Sequence, residues 1–195
     1  MDIPIQHISD RVLREMNRHG DSATIRGAIA RLRDAVPGIT LRTTVIVGFP
    51  GETEEEFSEL CAFVKEARFD RFGAFPYSPE EDTPAAEMPE QIDEQVKQDR
   101  YDIVMATQLP ISEEKNREKI GRTLRVLCEG YDTVAETYYG RSEADAPDVD
   151  GKVYFSSRRR LRPGEFVFVT IESALDYDLV GRVEESVRKN TGKKE

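Results

Sequence analysis

Three short stretches gather residue types able to hold a ligand. "PIQHIS" sets Gln6 and His7 at the end of a β-prone run, "VGFPGETEEEF" passes through Gly48, Phe49, Pro50, Gly51 and Glu52, and "PYSPEEDTPA" places Tyr77, Ser78 and Thr83 in a polar loop. Glycine lets a backbone approach a ligand closely, and a capped helix start points unpaired amide donors at the same place. The chemistry these residues suggest is therefore binding and positioning. No catalytic residue is assigned. The "GFPGE" stretch also reads as a plain strand-to-helix turn, and His7 as a packed or hydrogen-bonded histidine. Cys61 lies in an amphipathic helix pattern and Cys128 in a strand pattern. They read as buried small residues, with no disulfide and no metal site expected.

The elements that must position these residues follow from hydrophobic period and punctuation. "DIPIQHI" reads as a short strand. In "SDRVLREMNRHG", Ser9 is an N-cap, Val12, Leu13 and Met16 form a stripe, and Gly20 is a C-cap. Ile25, Ile29, Leu32 and Val36 share one face of the next helix. "LRTTVIVGF" reads as a strand covered on both faces. Thr53 and Glu56 form a capping box ahead of a helix that buries Phe57, Leu60 and Val64. "FDRFGAFPY" is a third strand. Strands separated by helices imply parallel pairing, with ligand-binding residues at the carboxyl ends: Gln6 and His7, Gly48 to Glu52, and Tyr77 to Thr83 on one rim.

A long helix follows, with Ile92, Val96, Ile103 and Ile111 as a sparse seam and Pro110 as a kink or break. After Gly121 the pattern changes to five short β-rich runs, "TLRVLCEGY", "TVAETYYGRS", "GKVYFSS", "EFVFVTIESA" and "DYDLVGRVEE", with a tight turn at Pro163-Gly164. They suggest a small antiparallel barrel of the oligonucleotide-binding type. Arg158, Arg159, Arg160 and Arg162 form a basic patch, readable as a solvated turn or as an RNA contact.

The 195 residues carry a net charge of -10, unevenly spread: residues 1–118 hold 14 Lys and Arg against 24 Asp and Glu. That excess argues against a phosphate backbone gripped by bulk charge in this part. No apolar run reaches the roughly 18 residues of a membrane span. A cytoplasmic protein without membrane contact is expected.

Together, "DIPIQHISDRVL", "LRTTVIVGFPGETEEEF", "FGAFPYSPEEDTPAAEMP" and "EKNREKIGRTLRVL" resemble the methylthiotransferases of the radical S-adenosylmethionine (SAM) superfamily, from Asp2 to about Val183. "IQHIS", "SPEEDTPA" and "GRSEADAPDVDG" resemble the RimO-like branch, which modifies an aspartate of small-subunit ribosomal protein number twelve, rather than the tRNA-modifying branch. The resemblance implies an α/β segment at 1–118, the second half of a radical SAM partial barrel with a linker helix. A TRAM domain at 119–186, a small all-β antiparallel barrel, and a disordered tail at 187–195 would follow. It implies S-adenosylmethionine held by Gln6, Arg42, Val47, Gly48, Phe49 and Tyr77. Substrate would meet Ser78 and Thr83 at the barrel mouth, and Arg158, Arg159 and Arg160 on the TRAM domain.

Two iron–sulfur clusters belong to the full-length enzyme, but their cysteine motifs are not in this sequence, and Cys61 and Cys128 cannot replace them. The chain is therefore expected to be the carboxyl-terminal portion and inactive alone, the full-length form being a monomer. A non-catalytic TRAM-type module binding RNA or a ribosomal protein, with a ribosomal RNA contact, and a tRNA methylthiotransferase remain as alternatives. The family loop usually has glycine where this sequence has Asp82.

Overall fold

Ser9 accepts a hydrogen bond from the Val12 amide and starts α1 (Asp10–Glu15), and Asp21 caps α2 (Ser22–Ala35) through the Thr24 amide. The computed structural model describes residues 1–184, so the tail expected at 187–195 lies outside the described residues. The chain divides into two units, Met1–Glu114 and a second beginning at Lys115.

In the first unit, β1 (Arg42–Val47) pairs in parallel with β2 (Arg71–Pro76), Arg42 opposite Arg71 and Val47 opposite Pro76. Between them lies α3 (Glu54–Ala67), opened by the capping box of Thr53 and Glu56. It buries Phe57, Leu60, Phe63 and Val64 against Val45 and Val47 of β1. This is the strand, helix, strand order expected of an α/β fold.

Several local expectations are corrected. Residues 2–7 form isolated parallel bridges to β1, at Asp2 with Arg42 and Gln6 with Val45, instead of a continuous strand. Gln6 breaks it by adopting φ 68°. Helix α1 stops at Met16, ahead of Gly20, and Val36 caps α2 from an exposed position. Strand β1 alternates buried and half-buried residues, with Thr43, Val45 and Val47 inward, so only one face is fully covered.

Helix α4 (Glu94–Arg117) continues through Pro110. Pro110 and Ala106 are both exposed, so water can reach the Ala106 carbonyl that loses its donor. Its buried face keeps Ile111 of the expected seam but otherwise differs from it. Lys97, Arg100, Val104, Gln108 and Ile111 point inward, whereas Val96 and Ile103 are exposed.

The loop after β2 turns at Asp82, which holds φ 63°, with the Thr83 amide donating to the Glu80 carbonyl. Left-handed backbone strains a residue with a Cβ. Asp82→Gly is therefore expected to raise stability by about 0.5–1 kcal/mol, read as a higher urea midpoint. An unchanged or lower midpoint would mean the aspartate side chain offsets the strain.

The second unit is a closed five-stranded barrel in the order β3-β4-β5-β7-β6. Its strands are β3 (Thr123–Asp132), β4 (Thr137–Ser142), β5 (Val153–Ser156), β6 (Phe166–Ala174) and β7 (Leu179–Val183). Alternate residues, among them Val126, Cys128, Val153, Phe155, Val167 and Val169, fill its interior. All five expected strands are present, but the barrel is not wholly antiparallel, because β5 and β7 pair in parallel to close it. Register shifts at Cys128/Gly130 and Ile171/Ser173 supply the bends a small barrel needs. Gly164 has φ 92°, and the Glu165 amide bonds the Arg162 carbonyl across the Pro163-Gly164 turn. Both cysteines are free, Cys128 buried and Cys61 half-buried.

Candidate functional site

The carboxyl ends of β1 and β2 open onto a cavity of about 460 Å³ in the first unit. Its apolar wall comes from Met16, Ile46, Phe49, Tyr77, Ala85 and Met88, and its polar edge from Gln6, Glu15, Asn17, Arg18 and Thr83. Each is placed by local structure. Gln6 donates its amide to the Thr44 carbonyl and accepts from the Ile46 amide, which fixes it beside β1. The Tyr77 amide donates to the Val47 carbonyl at 2.8 Å, continuing the β1–β2 ladder. The Phe49 and Tyr77 rings then meet edge to face, 5.3 Å between centroids.

The Tyr77 hydroxyl is buried and has no hydrogen-bond partner among the described residues. Burial raises its pKa, with the Glu80 charge adding to the effect. It is a donor held ready beside an apolar wall.

The glycine turn is built differently from an open ligand cradle. Gly48 has φ 73°, but its amide donates to Glu52 Oε2 at 2.7 Å, and Phe49 donates to the same oxygen at 3.3 Å. A Cβ on Gly48 would lie 2.4 Å from Lys97 Cγ. The glycine thus serves a turn and a close helix approach, and its amide is already occupied.

Glu52 is itself buried. Its Oε1 accepts from Arg100 Nη1 at 3.1 Å, and the same Nη1 donates to its carbonyl at 3.0 Å. Burial pushes its carboxyl up to about 7, against the pull of Arg100 and the two amides. His7 lies 3.7 Å from Glu52 Oε2, and burial pushes its pKa down to about 4, so the ring is neutral. For Glu56, burial alone would raise the pKa, but hydrogen bonds from Arg11, Thr53 and Ser9 hold it down near 2.

Of the residues expected to hold the cofactor, the structure brings Gln6, Phe49 and Tyr77 together, joined by Thr83 from the loop. Val47 and Gly48 are not among the lining residues: the Val47 side chain is in the core and its carbonyl accepts from the Tyr77 amide. Arg42 stands at the opposite, amino end of β1 with its Nε 3.9 Å from Asp2, and does not reach the rim. A strand of six residues separates the two ends by roughly 17 Å. Ser78 is exposed and is not among the lining residues.

The three arginines do not converge. Arg159 pairs with Glu165 at 2.7 Å, Arg158 lines a hollow of about 510 Å³ with Thr170 and Arg182, and Arg160 lines a separate cleft with Tyr131 and Tyr138. Met16, Met88 and Arg100 were not marked as site residues by the sequence, and Glu52 was marked as part of the rim without its partner. Only Glu52 carried a local signal, four residues after a glycine at a strand end.

Two family models match the chain: the Radical SAM superfamily over residues 1–64 and the TRAM domain over residues 120–183. The chain is 50% identical over 184 residues to the "Ribosomal protein uS12 methylthiotransferase RimO" of Geotalea uraniireducens, covering 94% of this chain and 41% of that protein. It is 52% identical over 182 residues to the same-named protein of Pelotomaculum thermopropionicum, covering 93% and 41%. For that of Desulforudis audaxviator the figures are 51% over 183 residues, 94% and 40%. The chain spans about two fifths of the length of these relatives.

Proposed function

The chain is RimO-like, a Radical SAM superfamily segment followed by a TRAM domain, and on that premise we propose that its first unit supplies part of the S-adenosylmethionine site of a ribosomal-protein methylthiotransferase. The observation that carries the reading is the cavity at the strand carboxyl ends, where an apolar wall meets a few polar groups. Ile46, Phe49, Met16 and Met88 suit the flat adenosyl portion. Gln6 and Asn17 lie where the ribose or methionyl polar groups would need partners, and the buried Tyr77 hydroxyl lacks one among the described residues. When bound, S-adenosylmethionine supplies the radical and methyl-transfer chemistry. The residues of this chain bind it, orient it and keep water from the apolar wall.

The residues do not fit an iron–sulfur cluster. Cys61 is on α3 and Cys128 on β3, in different units, and clusters of this kind need at least three thiolates close together. Cluster ligands would come from elsewhere in a protein as long as the relatives. In that longer protein the substrate is uS12 and the product a β-methylthiolated aspartate. Ser78 and Thr83 would lie toward the substrate. The TRAM barrel would dock uS12 with Arg158, Arg159 and Arg160 on its surface, and ribosomal RNA is a further contact. The described residues contain no helix long and apolar enough to cross a membrane. We place the activity in the cytoplasm, in a monomer.

Calorimetric titration with S-adenosylmethionine, with and without a co-expressed segment carrying the cysteine motifs, tests the reading. Saturable binding is expected, weakened about tenfold by Phe49→Ala. An affinity indifferent to Phe49 and to Tyr77→Ala would remove the pocket from the cofactor site.

A further inference from the structure

Beneath the pocket wall lies a cluster that ligand contact leaves unused. Glu52, His7 and Arg100 are exposed by 5% or less. Glu52 Oε2 accepts from the Gly48 and Phe49 amides, and Oε1 from Arg100 of α4. The Ser9 amide donates to His7 Nδ1 at 2.9 Å, so the neutral ring carries its proton on Nε2. That nitrogen is buried, without a hydrogen-bond partner among the described residues, and 3.7 Å from Glu52 Oε2.

We propose that Glu52 is the positioning residue of the pocket: its carboxylate fixes the Gly48–Phe49 wall, ties it to Arg100, and responds to protonation beside His7. This deepens the cofactor reading and rests on it. The mechanical route is short. The two amides belong to the turn that aims the Phe49 ring, Phe49 packs against Tyr77, and His7 follows Gln6 in the chain. One carboxylate therefore bears on Phe49 and, through its ring, on Tyr77 without touching the ligand.

The charged and titratable groups around Glu52 are Arg100 from α4, His7 from the leading segment, Glu56 and Cys61 from α3 and Arg11 from α1. Glu54 is reached through Arg100. With burial holding the Glu52 carboxyl near 7 and His7 near 4, the proton gained near neutrality goes to Glu52. The protonated carboxyl loses charge-assisted acceptance toward the amides and Arg100, so the Gly48–Phe49 turn is held less tightly even as the fold is relieved of a buried charge.

The test follows the Gly48 and Phe49 amide resonances of the isotope-labelled chain from about pH 5 to 9, with S-adenosylhomocysteine as the unreactive probe. Both amides should titrate together near neutrality, and probe affinity should rise about fivefold toward alkaline pH. Glu52→Gln should flatten both profiles, while His7→Gln should keep the amide transition and shift its midpoint. Amides that move only in the ordinary carboxylate range would overturn the proposal, as would a folded Glu52→Gln chain that keeps the pH profile. If Glu52→Gln does not fold, the wild-type titration decides. Amides that titrate near neutrality while no probe binds at any pH would support the positioning role and sink the cofactor reading.

Discussion

Arg100→Ala is expected to destabilise the first unit by about 3 kcal/mol or more, because it strands a buried carboxylate. Arg100 serves both the Glu52 side chain and its carbonyl, pairs with Glu54, and lies 5.4 Å over the Phe57 ring. The loss should depend on pH in a defined direction. The folded-state pKa of Glu52 is raised from 4.5 to about 7, so its contribution to stability is fully present below 4.5 and is lost as pH rises through 7. His7 runs the other way: lowered from 6.5 to about 4, it contributes above 6.5 and loses that contribution as pH falls through 4. In the wild type the two slopes oppose each other between 4.5 and 6.5. Removing the guanidinium raises the Glu52 pKa further, so the deficit should be larger at pH 8 than at pH 5. Urea unfolding at the two pH values measures this. An equal deficit at both would assign the loss to packing alone.

Gly140→Ala should disrupt the barrel. A Cβ there would lie 2.0 Å from the Leu127 carbonyl oxygen and 2.9 Å from its carbon, both backbone atoms of the neighbouring strand. Nothing flexible can yield, and Gly140 pairs with Cys128 on one side and Val153 on the other. A cost of about 3 kcal/mol or more is expected, the upper end for overpacking, read as lost amide protection across β3, β4 and β5. Gly73→Ala is the matched control in the other unit, since its Cβ would meet nothing closer than 3.9 Å. A folded Gly140→Ala barrel with native protection would contradict this account.

What could be read from the sequence was whatever local chemistry decides. Thr53 with Glu56 announces a helix start because both halves of the capping box lie within four residues. The turn at Pro163-Gly164 is legible for the same reason. The rim was legible in part: parallel strands place their carboxyl ends together, and Gln6, Phe49, Tyr77 and Thr83 do line one cavity. Arg42 was misplaced because a family likeness names a position without saying which end of a six-residue strand it occupies.

The face of α4 was missed for a different reason. Lys97 and Arg100 turn inward because Glu94, Glu54 and Glu52 compensate them, and Glu52 is 48 residues away in the chain. A hydrophobic-period argument assigns charged residues to solvent, so Val96 and Ile103 were chosen instead. The strand count of the barrel likewise follows from turn spacing, but which strands close it does not.

That closing pair has a kinetic consequence. The β3–β4 and β6–β7 hairpins join neighbours in the chain, whereas β5 meets β7 only across the whole intervening segment, through four parallel pairings from Val153–Leu179 to Ser156–Arg182. Loop-closure entropy must be met before those rungs form. The β3–β6 pairing, Thr123 opposite Thr170, closes a still longer stretch, so the ring's two non-local seams form after its hairpins, and the short parallel one is the weaker per residue once formed.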